Sequence, residues 1–121
     1  MNRNIQRQLK DIQLRAEHLL NGRPTLEEIE EFDQYNEELK NFLLSNLAEP
    51  ELLERVRQIP KILEESPAQL ASRGLVSTVL AFFASSLIAY FQERQQIENA
   101  IELIREVRGA YATIEFFTRN S

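Results

Sequence analysis

The sequence predicts an all-α fold, a bundle of four or five helices with a long C-terminal helix. Three observations predict it. Apolar residues recur at steps of three and four along most of the chain. Three glycines and four prolines in 121 residues are too few for a β chain, which must turn every ~8–12 residues. Two capping boxes stand directly before long apolar runs. With 43% hydrophobic and 27% charged residues, the chain has the composition of a single folded domain over residues 1–121.

The first helix is expected at about 3–21. Ile5, Leu9, Ile12, Ala16 and Leu19 follow one another at steps of four, three, four and three, which puts them on one stripe. Leu14 and Leu20 widen it, and Gly22 with Pro24 ends it. The N-terminal run lacks the continuous apolar stretch of a signal peptide, so a cytoplasmic location is expected. In Thr25-Leu26-Glu27-Glu28 the Thr25 hydroxyl can accept from the Glu28 amide while the Glu28 carboxylate reaches back to the Thr25 amide. Ile29, Phe32, Tyr35, Leu39, Phe42, Leu43 and Leu47 continue from there, giving a second helix at 26–47.

Pro50 suits the first turn of a third helix, 51–65, with Leu52, Val56, Ile59 and Leu63 on its stripe. Pro60 removes the amide that would bond the Val56 carbonyl, so a kink is expected there and a remnant turn after it. Ser66-Pro67-Ala68-Gln69 opens the long helix. No proline follows, and no glycine lies between Gly74 and Gly109, so one helix over 67–108 is expected, about 63 Å long at ~1.5 Å per residue. The polar run 92–96 is where it would break. Beyond Gly109, Tyr111, Ile114 and Phe117 keep the spacing of Val107, which makes 110–118 helical despite its β-prone residues.

Charge is distributed unevenly. Residues 1–24 carry a net +3 and residues 25–40 a net −6, so an antiparallel pairing of the first two helices should be laced by salt bridges. The eighteen residues from Gly74 to Phe91 carry no charge. As a helix they would cover about 27 Å, short of a ~30 Å hydrocarbon core. On a wheel of about 100° per residue, Leu75, Val76, Val79, Leu80, Phe82, Phe83, Leu87, Tyr90 and Phe91 fill one half. Gly74, Ser77, Thr78, Ala81, Ala84, Ser85 and Ala89 occupy the other, with Ile88 the large exception. The bulky half must be covered, because each exposed side chain forfeits ~1.5–3 kcal/mol. The small half, with its ladder Ser77-Ala81-Ser85-Ala89, admits a second helix at close range. A symmetric copy of the chain could supply that helix.

The composition narrows the chemistry. No cysteine is present, which excludes disulfides, thiolate nucleophiles and Cys-zinc sites. The single histidine, His18, stands in Arg15-Ala16-Glu17-His18, so it lacks the Glu three residues earlier that a bundle di-iron site uses. With no Gly-x-Ser-x-Gly elbow either, His18 reads as structural. A net charge of −5 opposes nucleic-acid binding, and Arg3, Arg7, Lys10 and Arg15 form a short basic flank without interleaved aromatics. Glu27-Glu28-x-x-Glu31 places carboxylates on one helical face. It resembles the first motif of the MazG-like all-α nucleotide pyrophosphatases, which implies Mg²⁺ at Glu27, Glu28 and Glu31 and a Glu-x-x-Asp motif on the next helix. There the chain has Glu51-Leu52-Leu53-Glu54, ending in Glu.

The expected function is therefore non-catalytic: a helical interaction or regulatory module that acts as a homodimer and binds another protein, without metal or cofactor. Ser77, Ala81, Phe82, Phe83, Ser85, Leu87, Ala89 and Phe91 are its expected self-association residues. The alternatives are a membrane-associated protein that embeds 74–91 in lipid and a Mg²⁺-dependent nucleotide hydrolase.

Overall fold

The computed structural model describes the backbone of residues 3–63 and 79–119, and the side chains of 3–63 and 93–119. The described residues form four helices, α1 (Arg3–Asn21), α2 (Leu26–Asn46), α3 (Pro50–Arg57) and α4 (Val79–Arg119), and no strand. The all-α bundle with a long C-terminal helix is the observed architecture.

Stripe periodicity decides what each helix buries. Ile5, Leu9, Ile12, Ala16 and Leu19 of α1 are all buried. They meet Ile29, Phe32, Leu39 and Leu43 of α2 and Ala100, Ile104, Val107, Tyr111 and Ile114 of α4 in a single core. The Gly22–Pro24 turn lies beside Glu93–Ile101, and Tyr111 reaches Asn36. Helix α4 therefore runs antiparallel to α1 and parallel to α2. Its most extensive packing is against α1. At the Thr25 end of α2 both halves of the capping box form: the Glu28 amide donates to the Thr25 hydroxyl at 3.1 Å and the Thr25 amide to the Glu28 carboxylate at 3.1 Å.

Two boundaries differ from expectation, and the expected continuity of the long helix holds where it is described. Helix α3 stops at Arg57 instead of continuing to 65, and residues 60–63 are not helical. Because Pro60 has no N–H, the Val56 carbonyl accepts from the Ile59 amide at 3.1 Å, a tightened final turn. The start of the long helix at 67 falls outside the described residues, but from Val79 it is unbroken through 92–96. The polar residues there are good helix formers, and Gln95 donates to Asn99 at 3.0 Å along the same surface. The segment 110–118 is the last part of α4 and not a fifth helix. Burial of Tyr111, Ile114 and Thr118 at helical spacing outweighs its β propensity.

The expected salt bridges between α1 and α2 do not form among the described residues. The ion pairs of these two helices are Arg15–Asp11 and Lys40–Glu37, each within one helix, and Lys61–Asp33. Arg3, Arg7 and Lys10 stand on the face of α1 opposite its core stripe, exposed. Burial of apolar side chains sets the rotation of α1, and exposed charge pairs of ~0–1 kcal/mol cannot reverse it.

Gly109 sits inside α4, where a Cβ would meet nothing within 4 Å. Gly109→Ala is therefore expected to add about 0.5–1 kcal/mol, read as a higher urea midpoint at unchanged slope. A lower midpoint would mean that the fold needs glycine at this position.

Candidate functional site

All but one of the expected self-association residues fall in the N-terminal part of the described long helix. Ser77 lies outside the described residues. Ala81, Phe82, Phe83, Ser85, Leu87, Ala89 and Phe91 fall on the helical backbone of α4, and their side chains lie outside the described set. What the backbone settles is the reach of α4. Its 41 residues extend about 61 Å, against about 29 Å for α1 and 31 Å for α2. The turn that ends α1 stands level with Glu93–Ile101. The described buried side chains of α4 run from Ala100 to Thr118. Residues 79–92 thus continue about 21 Å past the end of α1.

A second feature is the open groove between α1 and α2. It is about 330 Å³ in volume and is lined by Leu14, Arg15, His18, Leu19, Glu28, Glu31 and Phe32. Glu27, Glu28 and Glu31 are exposed, and Glu28 is engaged by the Thr25 amide and hydroxyl. Glu54, of the candidate second motif, is bonded by Arg57 and Gln58 on its own helix. No group of three His, Asp or Glu side chains among the described residues gathers as a metal-holding set. His18 is exposed at the edge of this groove. At the other end Tyr35 donates to Asp11 at 2.9 Å, and Asp11 also accepts from Arg15, whose guanidinium lies 4.3 Å from the Tyr35 ring centre. Burial, then the hydrogen bond and charge of Asp11, push the Tyr35 phenol up to about 12.

Sequence reasoning missed a polar cluster inside the core. Asn36 is fully buried; its Nδ2 donates to the Pro60 carbonyl at 3.2 Å and its Oδ1 accepts from the Tyr111 hydroxyl at 2.6 Å. One turn earlier on α2, the buried Asp33 accepts from the Ile62 amide at 2.9 Å and from Lys61 at 3.1 Å. These bonds hold the non-helical segment after α3 against α2, and Tyr111 ties α4 to the same Asn36. Asp33 and Asn36, three apart and adjoining the core positions 29, 32 and 39, were the available signal. Asp33 stands in the strongly acidic segment 25–40, where nothing sets it apart from its exposed neighbours Glu27, Glu28 and Glu31. The cluster presents no open reacting site, and its chemistry is structural.

Compared with known proteins, the chain matches no family model, no curated protein and no solved structure at a significant level.

Burial also holds the Tyr111 phenol far above its ordinary value of 10.0. The raised phenol contributes stability in full below pH 10. As pH rises above 10 the unfolded tyrosine ionises while the folded one keeps its proton, and that contribution is lost. Tyr111→Phe leaves Asn36 Oδ1 without its donor and is expected to cost about 1–3 kcal/mol at neutral pH. It should also flatten the decline of stability above pH 10, measured as urea midpoints between pH 7 and 11. An unchanged neutral midpoint would remove the cluster from the determinants of the fold.

Proposed function

We propose that the protein is a non-catalytic helical interaction module that dimerises through the uncharged segment 74–91, which includes the start of the described long helix, and thereby presents a composite surface to another protein. The reach of α4 past the α1–α2 turn carries this reading. A helix segment without a charged residue from Val79 to Phe91, extending beyond the α1–α2 turn, is incomplete in water. A second copy supplies a surface of the same length and chemistry, as isologous dimers require. On this reading Phe82, Phe83, Leu87 and Phe91 anchor the contact, and Ser77, Ala81, Ser85 and Ala89 admit the partner helix closely.

Lipid is the competing cover for the same segment. Among the described residues no helix is long and apolar enough to cross a membrane. The hydrolase reading would require a Mg²⁺ set at Glu27, Glu28 and Glu31, and Glu28 is already committed to the α2 cap.

Ala81→Leu and Ser85→Leu, separately and together, are expected to reduce the particle mass in light scattering while circular dichroism stays unchanged. The same mass for the double variant as for the parent chain would dismiss 74–91 as the interface. Flotation of the parent chain with lipid vesicles would assign the segment to lipid instead.

A further inference from the structure

The exposed face of the α1–α2 hairpin carries a feature that dimerisation through α4 does not use. Leu14 is 60% exposed near the middle of α1, on the wall of a groove whose floor is formed by the buried Leu19 and Phe32. Arg3, Arg7, Lys10 and Leu14 follow one another at steps of four, three and four, all exposed. Glu27, Glu31, Gln34 and Glu38 repeat the same steps on α2, also exposed. Both rows stand away from the core stripes of their helices, and Leu14 and Glu31 line the same groove.

The helices are antiparallel, so the two charged rows begin at opposite ends of the bundle. Arg3, Arg7 and Lys10 mark one end, beside the C-terminal half of α2. Glu27, Glu28 and Glu31 mark the other, beside the C-terminal half of α1. Arg15 at the acidic end is bound by Asp11 and stacked on Tyr35. Glu38 at the basic end and Arg23 at the acidic end dilute this polarity without reversing it. The face is therefore basic at one end and acidic at the other, with the exposed Leu14 between them.

We propose that this face is a second interface, and that its occupant is the same face of another copy turned end for end. A two-fold axis lying in the contact plane, across the helices, brings each basic end over the partner's acidic end and the two Leu14 side chains toward each other's grooves. The charge complementarity favours a second copy. A polyanion or a membrane would meet repulsion at the acidic end, whereas an identical face satisfies both ends at once. An apolar centre with charged margins is also the general anatomy of a protein interface.

Two full-length variants test this. Arg7→Glu with Lys10→Glu makes the face acidic throughout, and Glu27→Lys with Glu31→Lys makes it basic throughout. All four positions are exposed, and circular dichroism checks that the helices persist. Each variant alone should self-associate about tenfold more weakly than the parent in low-salt sedimentation. An equimolar mixture should recover association, and ~1 M salt, with its ~3 Å screening length, should remove that recovery. Leu14→Asp should weaken association at every salt concentration. A mixture that associates no better than its components would overturn the proposal. The Ala81→Leu/Ser85→Leu chain keeps the two interfaces distinguishable: it should still show salt-sensitive association through the hairpin face. Loss of all association in that chain, with the charge variants unchanged, would leave α4 as the sole interface.

Discussion

The bond between Asn36 and Tyr111 is the constraint on which the arrangement of the bundle depends. Apolar stripes attract without direction, and a helix sliding by one turn, ~5.4 Å, can still bury leucines against isoleucines. A buried amide cannot slide that way. Asn36 has its oxygen on Tyr111 of α4 and its nitrogen on the Pro60 carbonyl, so one displacement would strand polar atoms in the core on both sides. Asp33 repeats the arrangement one turn away with the Ile62 amide. No buried side-chain nitrogen or oxygen among the described residues lacks a partner, and a fully satisfied polar cluster of this kind favours one packing over its neighbours.

Helix α1 illustrates the opposite kind of interaction. Its five buried apolar residues supply a large contact with α4, and its charges follow wherever that burial puts them. The basic first segment and the acidic second segment therefore lie side by side with no ion pair between them among the described residues. A polar link between α1 and α2 is instead made by the hydroxyl of Tyr35 on Asp11, with Arg15 stacked on the same ring. The leftover charges are separated along the hairpin because antiparallel helices place their N-termini at opposite ends.

Length is the remaining asymmetry. A helix of 41 residues packs on helices of 19 and 21, and the excess falls on the uncharged part of the chain. The hairpin face and the overhanging helix are thus both consequences of one mismatch between the lengths and rotations of three helices.

Four helices, the apolar stripe of α1, the Thr25 capping box and the stop at Gly22 were legible in the sequence because they depend on residues three or four apart, whereas Phe117, expected on the last stripe, is exposed and Thr118 is buried in its place. The arrest of α3 was half legible: Pro60 announced a defect, but the extended path after it depends on Asp33 and Asn36, which only contact with a distant segment reveals. The continuity of α4 through 110–118 was decided by Tyr111, Ile114 and Thr118 finding the core. The polar cluster joins residues separated by as many as 75 positions. Hydrophobic periodicity carries no information at that range, because it fixes which face of a helix turns inward and leaves open what that face will meet.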